Sequence, residues 1–390
     1  MGLSMSLERM RYLKQYFKER PPTDVELQMI GQTWSEHCFH NVFKGDVVTD
    51  DGRLVNSILK TYIMRSTKEL DKDWCISVFE DNAGIIDFDK GYAVAVKVET
   101  HNHPSAVEPF GGAATGVGGV MRDILGVWGE PVALTDVLCF GPLDTGYDEL
   151  PPGVKHPRYL YRGVVAGIGS YGNNMGIPTV SGAVIFDKGY TGNVVVYCGC
   201  IGVLPKDAYV RNTHRGDLAV LAGGRTGRDG IHGVTFASAE LTEEAEELRS
   251  AVQIPNPIVE ERLRRAVLRI RDERLATGIT DLGGGGLSCA VGEMAYRSKL
   301  GVDVELDMVP LKAPDMVPWE IWVSESQERM LLSVPEENLE RVIDIFSEED
   351  VEASVVGRFV ETGRVRVFTR KAVVCDLDLV FLFNPPKVTR

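Results

Sequence analysis

Hydrophobic and polar positions repeat with two different periods along the chain, and each change of period marks a predicted element. Residues Leu7–Arg20 space Met10, Leu13 and Phe17 along one helical face, and Pro21-Pro22 ends that helix. Thr23 with Glu26 forms a capping-box pattern, so a second helix is predicted to run toward Ser35-Glu-His-Cys38. Val47–Glu80 is charged and weakly patterned, and reads as a connecting arm with one short helix. From Tyr92 the period becomes two, and Ala93-Val-Ala-Val-Lys-Val-Glu99 predicts a strand. A glycine-rich helix at about Ala114–Trp128 and a strand at Val132–Phe140 follow. Gly141–Tyr161 holds four prolines and reads as a long surface loop. A helix at about Arg162–Met175 and strands at Thr179–Phe186 and Val194–Leu204 close this half.

Beyond Lys206 the alternation of strands and helices continues. Strands are predicted at Leu218–Ala222, up to Asp281, and near Val302–Leu306, Arg329–Val334, Ala353–Phe359 and Arg364–Thr369. Helices are predicted at Glu261–Leu275, after Gly283–Gly286, and at Pro335–Ser347. The six arginines of Glu261–Leu275 read as a solvated helix face rather than an anion site. Interleaved strands and helices predict an α/β or α+β fold with layered sheets.

Length and composition sharpen this picture. The 390 residues exceed one ordinary core, so two domains are expected. The boundaries read as a helical segment 1–45, a first domain 46–205 and a second domain 206–390. With 44% hydrophobic and 25% charged residues the balance is globular, which argues against disorder. The net charge of −14 argues against a nucleic-acid or membrane-surface binder, so neither partner is expected. The longest apolar stretch, Val194–Leu204, falls well short of the roughly 20 residues of a membrane span. Met1–Ser6 formally fits a myristoylation pattern, but a cytosolic start leading into a helix is the preferred reading. Seven cysteines without CxxC spacing predict reduced thiols in a cytoplasmic protein. The 41 glycines exceed the usual share of about 7%, which calls for tight backbone turns or close ligand approach.

Candidate chemistry concentrates in Lys97-Val-Glu-Thr-His-Asn-His-Pro104. If the strand persists, Lys97, Glu99 and His101 share one face, opposite an apolar one. An internal Lys97–Glu99 ion pair is one reading. A site in which lysine holds phosphate, glutamate a hard cation and histidine a proton is the other. The glycines of Gly111–Gly119 precede Arg122-Asp123, a phosphate-type ligand beside a metal-type ligand, or else a surface ion pair. Asp281 precedes a glycine run that opens a helix, a place where backbone N–H groups meet phosphate. Widely spaced carboxylates at 99, 123 and 281 suit Mg²⁺ better than Zn²⁺. His37 and Cys38 are helix neighbours and do not face each other, so a thiol–imidazole dyad is not expected.

Taken in series, Ser35-Glu-His-Cys38, Lys97-Val-Glu-Thr-His-Asn-His-Pro-Ser105, Gly116-Val-Gly-Gly-Val-Met-Arg-Asp123, Gly227-Arg-Asp-Gly-Ile-His-Gly233, Asp281-Leu-Gly-Gly-Gly-Gly286 and Ser324-Glu-Ser-Gln-Glu328 resemble the synthetase subunit of phosphoribosylformylglycinamidine synthases, from about residue 7 to the end. The resemblance implies an amino-terminal barrel-forming domain and a carboxy-terminal α/β domain of the aminoimidazole-ribonucleotide-synthetase type. It implies an ATP-dependent ligase of purine biosynthesis: ATP phosphorylates the amide oxygen of formylglycinamide ribonucleotide, and ammonia from a glutaminase subunit displaces phosphate. By motif, His37 and His101 look like catalytic histidines, and Lys97 and His40 look like ATP contacts. Glu99, Asp123 and Asp281 look like magnesium ligands. Thr100, Asn102, His103, Arg122, Gln253, Glu325, Ser326 and Gln327 look like substrate contacts. This sequence has Phe39-His40-Asn41 where the family often has Ser-Tyr-Lys, and Pro255-Asn256 where it usually has glycine-aspartate. Family chains resemble two tandem units, and this one matches the first. A second-half subunit or a second copy is therefore expected as a partner, alongside the glutaminase and a small bridging subunit. The competing expectations are a homodimeric phosphoryl-transfer enzyme of the same superfamily and a non-catalytic assembly subunit.

Overall fold

The computed structural model describes residues 5–233, 237 and 252–389. Met1–Ser4 of the myristoylation pattern and Arg390 lie outside these residues. The chain opens with α1 (Leu7–Tyr16) and α2 (Asp24–Thr33), and the Thr23–Glu26 capping box is formed in both directions. After Trp34 a single short turn, α3 (Glu36–Phe39), carries His37 and Cys38. The apolar faces of α1 and α2 pack on the core of the carboxy-terminal sheet, where Leu13, Val25, Met29, Ile30 and Trp34 join one cluster. Trp34 Nε1 donates to the carbonyl of Leu382 at 2.7 Å, fixing the chain just ahead of His37.

The weakly patterned arm is more structured than expected. It holds a hairpin of β1 (Asp46–Val48) and β2 (Leu54–Asn56), a widened helical turn at Leu59–Met64 running into a helix at Arg65–Leu70, and strand β3 (Cys75–Ser77). β4 (Gly84–Asp87), β5 (Tyr92–Thr100), β6 (Glu130–Phe140), β7 (Thr179–Phe186) and β8 (Val195–Pro205) complete an open six-stranded sheet in the order β3-β4-β5-β8-β6-β7. Its inner face carries α4 (Pro109–Leu125) and α5 (Pro157–Met175). Both helices begin earlier than predicted because proline occupies the first helical position, where its missing N–H costs nothing.

The second sheet is a sandwich filling. β9 (Leu218–Gly223), β10 (Gly278–Asp281), β11 (Gly301–Glu305), β12 (Arg329–Val334), β13 (Glu352–Val360), β14 (Arg364–Thr369) and β15 (Ala372–Asp378) run in the order β10-β12-β9-β13-β11-β14-β15. Residues of alternate parity in β9 and β12 feed two separate cores. One core lies under α6 (Pro257–Asp272) and α8 (Leu339–Glu348). The other lies under α1, α2 and α7 (Gly286–Arg297). The class is α+β, and the six-stranded sheet does not close into a barrel among the described residues. The six arginines of the α6 region each meet a carboxylate, from Arg262–Asp350 to Arg274–Asp207, as a solvated face requires. Leu125 and Trp128, at the end of α4, insert into the α6 and α8 core, and Trp128 Nε1 donates to the Val210 carbonyl at 3.0 Å. That plug ties the two sheets together two residues after Asp123.

Candidate active site

β5 sets the first row of the site. Ala93 and Ala95 are fully buried, and Lys97 and Glu99 continue the same inward face. The apolar residues are the ones that face outward: Val96 is 40% and Val98 53% exposed. The strand thus has the reverse polarity of a half-buried surface strand, and its polar face looks into a cavity of about 310 Å³. His101 leaves the strand, and Gly116 of α4 makes room for it, since a Cβ there would come within 2.9 Å of His101 Cβ. The His101 Nδ1 donates to the Gly112 carbonyl, which leaves Nε2 as the acceptor. Burial lowers the imidazole's proton affinity despite Glu99, so the ring is neutral near pH 7.

The second row comes from α4, and here the neighbours Arg122 and Asp123 part company. Asp123 pairs with Lys97 at 3.2 Å, and Lys97 also reaches Glu99 at 3.4 Å. Arg122 is 1% exposed and donates to Glu260 Oε2 at 2.6 Å and to Gln327. The surface ion pair between Arg122 and Asp123 is therefore not formed. The Tyr171 hydroxyl of α5 lies within hydrogen-bond reach of Glu260 at 2.6 Å and Glu328 at 2.9 Å, closing a buried cluster of one cation and two carboxyls. Burial pushes Glu260 up to about 7, with Arg122 pulling it down and Glu328 pushing it further up.

The third row comes from the second sheet. Asp281 ends β10 and accepts from Asn82 Nδ2 at 2.9 Å. The glycine run then turns through Gly285 and Gly286, both at positive φ, and a Cβ at Gly286 would sit 1.9 Å from the Ser324 carbonyl oxygen. Glu325 accepts from the Gly285 N–H at 3.1 Å and from Gln253 Nε2 at 3.1 Å. His37 completes the rim, its Nε2 3.9 Å from Glu99 Oε1.

One cavity therefore gathers His37, Lys97, Glu99, Thr100, His101, Asn102 and His103 with Arg122, Asp123, Gln253, Asp281, Glu325 and Gln327. Two residues singled out in the sequence fall elsewhere. His40 lines an adjoining cleft of about 710 Å³ that shares Lys97 and Asp123 with the first. Ser326 is fully buried; it accepts from the Gly227 N–H at 2.9 Å and donates to Asp229 at 2.7 Å, so it secures the Gly223–Gly233 loop. Asn102 is also spoken for, since its Oδ1 accepts from the Val196 N–H at 2.7 Å. Sequence reasoning missed Asn82, Tyr171, Glu260 and Glu328. For Glu260 there was a signal: it lies three residues before Leu263 on the apolar face of α6.

The acidic groups of the cavity raise one another's proton affinity. Burial raises Asp123 well above the usual carboxylate range, with Asp281 and Glu99 adding to the rise. Asp281 is raised by burial and by Glu99. Glu99 alone is low, at about 2: burial pushes it up, but Lys97, His37 and His101 together pull it down further. Glu99, Asp123 and Asp281, which line the cavity around the Lys97 ammonium, suit a divalent cation with oxygen preference. Among the described residues no three metal-binding side chains already converge on one point.

Residues 80–204 match the model of the AIR synthase related protein N-terminal domain, and 214–370 match its C-terminal domain. Residues 1–41 match the formylglycinamide ribonucleotide amidotransferase linker domain. Phosphoribosylformylglycinamidine synthase subunit PurL of Picrophilus torridus is 46% identical over all of this chain and 50% of its own length. Thermotoga maritima PurL in complex with FGAR superposes with a TM-score of 0.80 at 35% identity, over 98% of this chain and 57% of that one. The same protein in complex with ATP gives 0.77 at 34%, over 98% and 56%. The chain spans about half the length of the curated relatives it matches.

Proposed function

The chain belongs to the family of AIR synthase related proteins, and from that premise we propose that it supplies one half of an ATP-dependent ligase that converts formylglycinamide ribonucleotide to formylglycinamidine ribonucleotide. The observation that carries this reading is the single cavity that brings together the His101 imidazole, its Nδ1 held by the Gly112 carbonyl, the Lys97 ammonium, the carboxylates of Glu99, Asp123 and Asp281, and a glycine turn. An amide is a poor electrophile, so its oxygen must first become a phosphate leaving group. Lys97 and the Gly283-Gly284 stretch, both on the cavity wall, are suited to hold phosphoryl oxygens. Glu99, Asp123 and Asp281 would hold Mg²⁺, which supplies neutralisation of the transferring phosphoryl charge. The His101 Nε2 takes the proton that ammonia loses as it attacks, with Nδ1 fixed on Gly112 so that the tautomer is preset. His37 lies beside Glu99 and shares the handling of charge on that side.

The exposed apolar face of the first sheet supports the need for a second half. Ile86, Val96, Val98, Val137, Ile185 and Tyr197 lie on its outer side and are all at least 36% exposed. A continuous apolar sheet face of this kind calls for a cover, and a second-half synthetase subunit or a second copy would provide it. A glutaminase subunit then supplies the ammonia. No helix among the described residues is long and apolar enough to cross a membrane, and the seven unpaired thiols suit a reducing cytoplasm. The test is an isotope transfer. With the reacting amide oxygen of the substrate labelled with ¹⁸O, and ATP, ammonia and the second half present, the label should appear in the released phosphate. Phosphate free of label would overturn the mechanism.

A further inference from the structure

Lys97 stands among the carboxylates a metal would use. Its Nζ lies 3.2 Å from Asp123 Oδ2 and 3.4 Å from Glu99 Oε2, with its side chain three-quarters buried. Arg122 is engaged by Glu260 at 2.6 Å; its charge still lowers Asp281, but the cation paired with Glu99 and Asp123 is Lys97. Two cations cannot share the same carboxylate oxygens without strong repulsion. A divalent ion entering here must therefore displace the ammonium. The ammonium has somewhere to go, since Lys97 lines both the 310 Å³ cavity and the adjoining 710 Å³ cleft beside His40 and Lys44. Its flexible four-carbon stem permits that swing, while the backbone of β5 is fixed by pairing with β4 and β8.

We propose that Lys97 is a resident counter-ion that holds the Glu99 and Asp123 carboxylates until a divalent cation takes them, and that its ammonium then turns into the adjoining cleft to meet polyphosphate. The identity of metal and nucleotide rests on the ligase reading, whereas the exchange rests on the ion pairs. Metal binding thereby makes the phosphate-binding cation available, so the two ligands bind cooperatively through one side chain.

The experiment is a Mn²⁺ titration followed by electron paramagnetic resonance on the chain without substrate, for wild type, Lys97→Met and Lys97→Arg. Lys97→Met should bind Mn²⁺ on the order of tenfold more tightly, because the competing charge is gone. Lys97→Arg should bind it more weakly than wild type, because a guanidinium grips carboxylates in a fork. Mn²⁺ should raise the affinity of wild type for inorganic tripolyphosphate, and Lys97→Met should lose that gain. Equal or weaker Mn²⁺ binding by Lys97→Met, or no Mn²⁺ binding by any form, would overturn the proposal. If Lys97→Met does not fold, Lys97→Arg decides it: binding as tight as wild type refutes the exchange. The titration needs neither turnover nor a second half, so failure of the ligase assay leaves it standing, and its failure leaves the ligase assay standing.

Discussion

Arg122→Met removes the cation from the buried cluster of Glu260, Tyr171 and Glu328, and the structure sets both the size and the pH course of the loss. Arg122 and Glu260 are 1% and 0% exposed. Breaking such a pair from one side costs about 3–5 kcal/mol, because the remaining charge stays buried. Burial already holds Glu260 up at about 7 while Arg122 pulls it down. Without Arg122 the carboxyl must stay protonated to a higher pH. A carboxyl whose folded value exceeds its unfolded value takes up a proton on folding, so stability falls as pH rises between the two values. In the parent that fall ends near pH 7. In the variant it continues, at about 1.4 kcal/mol per pH unit. Between pH 7 and 8.5 the variant should therefore lose about 2 kcal/mol more than the parent. Urea unfolding of both proteins at pH 6, 7 and 8.5 measures this directly. A deficit that is the same at all three values, or largest at pH 6, would refute the buried-pair account.

Two further outcomes follow from particular side chains. Burial holds the Asp136 carboxyl up at about 6, and its Oδ1 has no partner; Asp136→Asn should therefore raise stability by on the order of 2–3 kcal/mol at pH 8 and do little at pH 4, and thermal melts showing the same change at both values would contradict it. Val98→Glu, on the exposed outer face of β5, should leave the melting temperature of the isolated chain within a few degrees but prevent association with a second half in sedimentation, and unimpaired association would remove that face as the interface.

The sequence made β5 readable because its polar and apolar positions alternate cleanly, and Lys97, Glu99 and His101 were placed together on that basis alone. It could not say which face is inside. Local alternation defines two faces, but only the packing of α4 against Ala93 and Ala95 decides which one is buried. Helix α2 was legible through its capping box, yet its attachment to the second sheet depends on Trp34 and Leu382, which are 348 residues apart. β15 was missed because the Arg370-Lys371 turn hides the hairpin it makes with β14, both residues taking positive φ without glycine. Arg122 and Asp123 were both singled out, and of their two readings the surface ion pair is not formed. Adjacent residues on a helix diverge by about 100°, so Asp123 turned to Lys97 and Arg122 to Glu260.

On the proposed function, this chain contributes half of a composite ligase site. The measurement that tests it most directly is conversion of formylglycinamide ribonucleotide with ATP and ammonia, while a second-half protein is titrated into a fixed amount of the chain. Turnover should be absent without the second half, rise to a plateau at equal molar amounts, and vanish in His101→Ala while that variant keeps its fold. No turnover in any mixture at high ammonia, or full turnover by the chain alone, would contradict the account.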